Sequence, residues 1–153
     1  MNQVTKNKEA KKKSTRKPST RKKKQLYGTS KLEEDFARDF LDRLGVRYVY
    51  QFEAKEIGRW YDFFLTDYRM LVEIDGGYWH SDPRVVNEEK MTPTQKRNKR
   101  VDEQKDRWAA LHCIPLIRIW EKDIRENPSQ VMKMLRERLN IQEKVIKLRS
   151  EER

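Results

Sequence analysis

The cationic side chains of this chain are concentrated at its amino terminus, which limits the part of the sequence that can fold. Residues 1–28 contain eleven Lys or Arg residues and one Glu, so they carry +10 of the formal net charge of +11. They contain almost no large apolar side chain before Leu26. Such a segment buries too little apolar surface to offset the conformational entropy lost on folding. We therefore expect a disordered basic tail over residues 1–28 and a nearly neutral folded unit after it.

A basic tail on a nearly neutral domain indicates a polyanionic partner, and nucleic acid is the expected one. Lys and Arg near phosphates release condensed counterions, which gives an affinity that depends on salt and not on base sequence. The tail residues expected to contact nucleic acid are Lys11, Lys12, Lys13, Arg21, Lys22, Lys23 and Lys24. The alternatives are a solubility tail, a nuclear localisation signal or a membrane-surface contact, although the tail has no apolar face for a membrane.

The cysteine content and the absence of long apolar runs exclude several classes of protein. A single cysteine, Cys113, cannot form an internal disulfide and fits an intracellular, reducing compartment. The sequence has no apolar run of about 18 residues, so we expect no membrane-spanning segment and no membrane partner. With 35% hydrophobic and 40% charged residues, the chain is expected to form one small domain.

The spacing of apolar residues predicts a mixed α/β domain with the element order α-β-β-β-α-β-α. Ser30 followed by Glu33 is typical of a capped helix start, so residues 30–44 form the first helix. Strands are predicted over residues 46–53, 60–65, 69–75 and 114–120. Two further helices are expected to start at Thr92-Pro93 and Asn127-Pro128. We expect a central mixed four-stranded sheet flanked by helices.

The second and third predicted strands carry acidic side chains within apolar surroundings. Because alternate residues of a strand share a face, Trp60, Asp62 and Phe64 lie together, as do Leu71, Glu73 and Asp75. A hairpin that closes symmetrically at Asp67-Tyr68 places Asp62 directly opposite Glu73. Like charges in opposed positions are destabilising. The pattern therefore predicts a compensating cation beside these acids.

The acids Asp62, Glu73 and Asp75 form an all-oxygen set, which suits a hard divalent cation. Mg²⁺ is the expected ion and Mn²⁺ its substitute. Mg²⁺ held by one or two carboxylates beside a phosphate is a common arrangement for phosphodiester cleavage. The alternative is an edge hairpin with exposed acids, because the residues of the opposite face already supply an apolar core.

A histidine follows the third strand closely. Gly76-Gly77 allows a sharp turn that returns His80 toward the carboxylates. A histidine there would act as a general base for water or as a general acid for a leaving oxygen. The neighbouring Trp79 either stacks on a nucleobase or packs against the protein.

The helix that starts near Thr92 carries cations and an Asp–Lys pair. Lys96, Arg97, Lys99 and Arg100 are expected to face phosphates or solvent. Val101, Trp108 and Leu111 are expected to form its buried stripe. Asp102 and Lys105 lie beside this stripe, so both can approach the sheet. Lys105 then forms either a surface ion pair or the cation that polarises water or stabilises a pentacovalent phosphate.

The order and spacing of five short stretches resemble the PD-(D/E)xK nuclease superfamily. The stretches are Ser30-Lys31-Leu32-Glu33, Tyr61-Asp62-Phe63-Phe64, the run from Val72 to His80, Asp102-x-x-Lys105-x-x-Trp108, and the run from Leu116 to Glu121. The branch that they resemble most is that of the very short patch repair endonucleases and the phage homing endonucleases with a Glu-Asp-x-His-Asp pattern. The likeness covers about residues 29–125.

The resemblance implies a restriction-endonuclease-like nuclease core over residues 29–125, followed by a C-terminal helix over 126–153. It implies a divalent-metal-dependent DNA endonuclease or nickase that hydrolyses phosphodiester bonds. Asp62 would be the main metal ligand and the carbonyl of Ile74 a second, with Glu73 nearby. Glu33 would hold a water at the metal from the first helix, and His80 would act in proton transfer.

The sequence departs from the superfamily pattern at Asp75, which stands where many members carry the motif lysine. Either His80 replaces that lysine or Lys105 does so from the helix. With one cysteine and two histidines the chain is also poorly suited to the structural zinc site of the repair enzymes, which favours a phage or mobile-element type of nuclease.

The expected partner is double-stranded DNA, with a homodimer or a separate specificity protein as further possibilities. The alternative function is that of a non-catalytic nucleic-acid-binding or assembly protein on a nuclease-like scaffold.

Overall fold

A mixed four-stranded sheet organises the folded part of the chain. The computed structural model describes residues 30–77, 80, 82–84 and 86–152, so the predicted tail and Trp79 lie outside the described residues. The strands are β1 (Tyr48–Ala54), β2 (Arg59–Leu65), β3 (Met70–Asp75) and β4 (Leu116–Trp120). Their spatial order is β1-β2-β3-β4. The first two contacts are antiparallel and the third is parallel, which confirms the predicted mixed sheet.

Helices surround this sheet. They are α1 (Lys31–Phe36), a π-helical segment (Ala37–Leu41), α2 (Asp42–Leu44), a 3₁₀ turn (Glu88–Lys90), α3 (Pro93–Leu111), α4 (Glu121–Glu126) and α5 (Pro128–Glu151). The first three follow one another without a break and form the predicted first helical run, which ends at Gly45 with φ of +65°. In the described part of the chain, no helix combines the length and the apolar character needed to cross a membrane.

The predicted element order lacks one helix. The structure has α4 between β4 and the last helix. Its sequence, Glu-Lys-Asp-Ile-Arg-Glu, contains the single apolar residue Ile124, so it has no helical periodicity to recognise. Ile124 packs against the core. Helix α4 is therefore recognised from the packing of Ile124 in the folded protein and not from the spacing of apolar residues.

Each face of the sheet is covered by different helices. On one face, Phe63, Leu65, Val72 and Ile74 of the strands pack with residues of the first helical run and of α5. The α5 residues Val131, Leu135 and Leu139 are among the buried members of this cluster. On the other face, Ala54, Tyr61 and Leu71 pack against Trp108 and Ala109 of α3. The C-terminal helix thus shares the core of the sheet.

Side chains of β1 and β2 do not alternate strictly between the two faces of the sheet as expected, and the interruption in β1 lies at Gln51. Gln51 has a left-handed backbone with φ of +55°. Tyr50 on one side of it packs with the first helical run, whereas Phe52 on the other side packs with α3. The same change occurs in β2, where Phe63 and Tyr61 lie in different clusters although they are two residues apart. Tyr50 pairs with Phe63, and Phe52 pairs with Tyr61. The interruption in β2 therefore lies at Asp62, between Tyr61 and Phe63.

Helix α3 begins as predicted, and Trp108 of its predicted buried stripe is buried, but the rest of the stripe differs from the prediction. The Thr92 hydroxyl accepts from the Gln95 N–H, the Gln95 side chain accepts from the Thr92 N–H, and Pro93 occupies the first turn. Leu111 is 82% exposed, so its predicted place in the buried stripe is wrong. Lys105 is buried instead. The buried side of the helix therefore includes a charged residue. A buried charge is tolerated only when a polar group pairs with it, so the sheet must supply such a group.

Candidate active site

The hairpin of β2 and β3 has the predicted register and brings Asp62 to Glu73. Phe63 pairs with Val72 in the antiparallel ladder, so the next position joins Asp62 and Glu73. Side chains bridge the strands there. The N–H of Ile74 donates to Asp62 Oδ2 at 2.7 Å, and the N–H of Asp62 donates to Glu73 Oε1 at 3.1 Å. The two carboxylates are therefore fixed at the point where the paired ladder ends.

Lys105 reaches this pair from α3. Its Nζ lies 2.5 Å from Glu73 Oε2, and the two side chains are only 10% and 4% exposed. Tyr61 positions the helix, because its hydroxyl donates to the backbone carbonyl of Lys105 at 2.7 Å. The Lys105 ammonium also lies 4.9 Å from the centre of the Tyr61 ring. Lys105 is thus a buried partner of Glu73 and not an exposed helix-surface charge.

Glu33 is held by neutral donors at the start of α1. Tyr50 donates its hydroxyl to Glu33 Oε2 at 2.7 Å, and Gln51 Nε2 donates to the same oxygen at 3.0 Å. The Ser30 hydroxyl accepts from the Glu33 N–H and donates to Glu33 Oε1 at 2.9 Å. The predicted helix cap thus also orients the carboxylate. The sequence did not indicate Gln51 as a partner of Glu33. Gln51 makes this contact from a residue with left-handed backbone conformation.

The electrostatics of this region disfavour the negative charge of Asp62. Burial, followed by the charges of Glu73 and Glu33, raises the pKa of Asp62 to about 8, although the Ile74 N–H and Lys105 act against the increase. Burial also raises the pKa of Glu73, despite the opposing effect of Lys105. Among the described residues no Lys or Arg forms an ion pair with Asp62 or Glu33. Unlike Glu73, these two acids are therefore not balanced by an ion pair with another described side chain.

His80 lies in a second group of charges on the α3 side of β3. Its Nδ1 is 3.0 Å from Asp102 Oδ2 and 3.7 Å from Asp75 Oδ1. The hydrogen bond to Asp102 raises the pKa of His80, although burial acts in the opposite direction. The predicted turn is present, because the His80 N–H donates to the Gly76 carbonyl at 3.0 Å. Asp102 thus orients an imidazole that is 30% exposed.

Asp75 is paired with a basic residue of β4. It is 2% exposed, and Arg118 Nη1 lies 3.0 Å from its Oδ2. Asp75, expected from the sequence to be a metal ligand, therefore already has a cationic partner. The sequence pattern did not indicate a role for Arg118. A basic residue within the apolar run Leu-Ile-Arg-Ile-Trp was the available signal, because a charge in a central strand needs a buried partner.

The loop after His80 is held by a separate set of ion pairs. Asp82 is fully buried, and Arg84 Nη2 lies 2.7 Å from its Oδ2. Arg84 Nη1 also lies 2.9 Å from Asp123 Oδ1 in α4. The Asp82 N–H donates to the Gly77 carbonyl at 3.0 Å. These contacts connect the segment that carries His80 to the helix that the sequence did not predict.

The expected nucleic-acid contacts on α3 are largely at the surface. Lys96, Arg97 and Arg100 are exposed. Lys99 forms an ion pair with Glu88 of the 3₁₀ turn. Trp60, two residues before Asp62, is 51% exposed. The predicted contacts in the tail and at Trp79 lie outside the described residues.

The carboxylates beside Asp62 do not form a complete metal site by themselves. Within the described residues no three His, Cys, Asp or Glu side chains are grouped so that they could hold a metal ion by themselves. Glu73 uses one oxygen for the Asp62 N–H and the other for Lys105. Both oxygens of Glu33 likewise accept hydrogen bonds, Oε1 from Ser30 and Oε2 from Tyr50 and Gln51. Asp62 accepts the Ile74 N–H at Oδ2, which leaves its Oδ1 as a carboxylate donor. Mg²⁺ is commonly bound by one or two carboxylates together with phosphate and water, so this set is compatible with it.

Comparisons with known proteins do not assign the chain to a family. No family model matches the sequence, no curated protein matches it, and no solved structure matches it.

Proposed function

We propose that this protein is a divalent-cation-dependent DNA endonuclease or nickase, of the phage or mobile-element type that the sequence resembles. The observation that carries the proposal is the placement of Asp62. It is held beside Glu73 and close enough to Glu33 for their charges to raise its pKa, and no cation of the described residues pairs with it. A carboxylate in this environment is a suitable ligand for Mg²⁺ or Mn²⁺.

The two groups of charged residues would have different tasks in hydrolysis. A divalent cation bound at Asp62 supplies activation of water and neutralisation of phosphate charge. Asp62 would bind it through the oxygen that does not accept the Ile74 N–H. Glu33, oriented by Tyr50 and Gln51, would hold an attacking water by a hydrogen bond to its carboxylate. Together these side chains would fix the water and the scissile phosphate relative to each other.

We assign the proton-transfer role to His80 and the supporting role to Lys105. The imidazole is partly exposed and hydrogen-bonded to Asp102, so its other nitrogen would be available to a leaving oxygen. Lys105 is buried and holds Glu73, which in turn accepts from the Asp62 N–H. Lys105 would therefore stabilise the ligand arrangement and take the role of the motif lysine of the superfamily that the sequence resembles.

Double-stranded DNA is the proposed substrate, and the basic tail would increase its local concentration. The tail accounts for +10 of the net charge of +11, so its contribution to affinity should decrease as salt increases. Removal of residues 1–24 is expected to reduce the slope of DNA affinity against salt while the folded domain stays intact. An unchanged slope would remove the tail from DNA binding.

Supercoiled plasmid provides the direct test of the activity. Wild-type protein is expected to produce nicked or linear DNA in Mg²⁺ or Mn²⁺ and none in EDTA. Asp62→Asn should decrease the cleavage rate by about 100-fold or more, because an electrostatic catalytic contact typically contributes that much. Asp67→Asn is the matched control, since Asp67 lies in the turn of the same hairpin and pairs with Arg47. Retained DNA binding by Asp62→Asn would show that only the chemical step is lost.

The alternative is a non-catalytic nucleic-acid-binding or assembly protein, and one observation favours it. Glu73 forms a closed, buried ion pair with Lys105, which is also what a purely structural core charge does. Under this alternative the wild-type protein would bind DNA without cleaving it in either metal. Asp62→Asn would then leave DNA binding unchanged, and added metal would stabilise neither the wild type nor the variant.

A further inference from the structure

Arg118 is the only basic residue of β4, and its guanidinium contacts acidic side chains from two elements. On the β3 side its Nη1 lies 3.0 Å from Asp75 Oδ2 and 3.8 Å from Glu73 Oε2. On the α3 side its Nη1 lies 3.6 Å from Asp102 Oδ1, and its Nη2 lies 2.9 Å from Asp106 Oδ1. The Nη2 also donates to the backbone carbonyl of Asp102 at 3.3 Å. One side chain thus connects β3 with α3.

The residues connected in this way are those that orient the proposed catalytic groups. Asp102 holds His80, and Asp75 lies 3.7 Å from the same imidazole nitrogen. Lys105, which holds Glu73, lies on α3 between Asp102 and Asp106. The Arg118 side chain is only 20% exposed, so its pairs are weakly screened by solvent. A planar guanidinium can bind several carboxylates in fixed directions, which a lysine ammonium cannot do.

We infer that Arg118 is a positioning residue for the proposed nuclease, through which Asp75 and Asp102 are held so that His80 faces the substrate and Lys105 faces Glu73 from fixed positions. Arg118 acts through these residues and does not itself contact the reacting atoms. The inference rests on the proposed function for its effect on cleavage. Its effect on the placement of His80 is independent of any activity.

The test compares Arg118→Lys with Arg118→Met and with the control Arg47→Met. Arg118→Lys keeps the positive charge and removes the planar guanidinium, whereas Arg118→Met removes both. We expect kcat for plasmid nicking to decrease by about 10- to 100-fold in both variants, with little change in KM, since loss of a residue that orients a catalytic group typically has that effect. Arg47 pairs with Asp67 in an exposed hairpin turn, so Arg47→Met should retain the wild-type kcat.

A spectroscopic measurement separates positioning from stability and from the activity itself. The chain contains two histidines, so the imidazole Cε1–H proton resonances can be assigned with His112→Gln. Both Arg118 variants should shift the His80 resonance, and the His112 resonance should stay in place because that ring stacks on Trp108. Thermal unfolding followed by circular dichroism reports how much of each variant is folded.

Two results would overturn the inference. One is a wild-type kcat in folded Arg118→Met, and the other is a His80 resonance that does not shift in either variant. If Arg118→Met does not fold, Arg118→Lys decides, because it retains the buried charge. If wild-type protein does not cleave DNA, the proposed function fails, and the His80 resonance alone then decides whether Arg118 positions that side chain.

Discussion

The two acidic groups at the end of the sheet differ in how their charge is balanced. Around Arg118, Asp75 and Asp102 have cationic partners within the protein. Around Asp62, the neighbouring Glu33 is held by neutral donors, and Lys105 is paired with Glu73. A buried carboxylate without a partner is unfavourable and either binds a proton or needs a cation. The difference identifies the region around Asp62, and not the whole acidic cluster, as the place where the proposed cation would bind.

If the two groups differ in this way, a substitution in the Asp62 group should abolish cation binding and a substitution in the Arg118 group should not. Asp62→Asn should abolish binding of Mn²⁺ in isothermal titration calorimetry, because it removes the proposed carboxylate ligand of the cation. Asp75→Asn should retain binding, since Asp75 is already paired with Arg118. Loss of binding in Asp75→Asn together with retention in Asp62→Asn would reverse the assignment of the two groups.

His80 provides the next largest expected effect. His80→Gln should decrease the rate of plasmid nicking by about 100-fold or more, because positioned acid–base catalysis typically contributes 10² to 10⁴. Asp102→Asn should cause a smaller decrease, since the imidazole stays but loses the hydrogen bond of 3.0 Å that orients it. The measurement is the single-turnover rate at saturating protein. Equal rates in His80→Gln and wild type would exclude a proton-transfer role for His80.

The buried ion pair between Lys105 and Glu73 should affect stability more than any surface pair. Lys105→Met is expected to lower the free energy of unfolding by about 3–5 kcal/mol, because it leaves Glu73 buried without a partner. Lys147→Met removes a lysine that is 2.9 Å from Glu143 on the exposed side of α5, and it should cost less than about 1 kcal/mol. Urea unfolding measures both. Similar losses in the two variants would show that Lys105 behaves as a surface charge.

A further effect is expected on the pH dependence of stability in the absence of metal. The pKa of Asp62 is raised to about 8 by burial and by the charges of Glu73 and Glu33. A carboxyl group whose pKa is higher in the folded state binds more protons there than in the unfolded chain, so stability falls as pH rises from about 4 to about 8. The free energy of unfolding of wild type relative to Asp62→Asn should decrease over this window when measured in EDTA. A difference that does not change with pH would contradict the burial of an unpaired Asp62.

Local patterns predicted the elements that carry the proposed ligands. Ser30 and Thr92 cap their helices as expected, because capping depends on residues within one turn. The symmetric closure at Asp67-Tyr68 gives the observed register, so the Asp62–Glu73 contact was predictable from two strands alone. The missed helix α4 shows the limit of this approach. Its single core residue, Ile124, is recognised only through the cluster that it joins.

Arg118 and Gln51 could not be assigned from the sequence for different reasons. Arg118 is aligned with Glu73 in the parallel pairing of β3 and β4, which depends on how α3 crosses from one strand to the other. Gln51 has a backbone conformation that is uncommon for a residue with a side chain. No local pattern predicts such a conformation. Each of these residues receives its role from neighbours that are distant in the chain.

The sequence by itself determined the charge segregation, the mixed α/β class and the opposition of Asp62 and Glu73, because composition, periodicity and hairpin register are local properties. The tertiary structure decided which acids are paired and which are not. Lys105 reaches Glu73 from a helix 32 residues later, and Arg118 reaches Asp75 from a strand 43 residues later. Ion pairing depends on distance in space and on burial, neither of which is encoded in the spacing of residues along the chain.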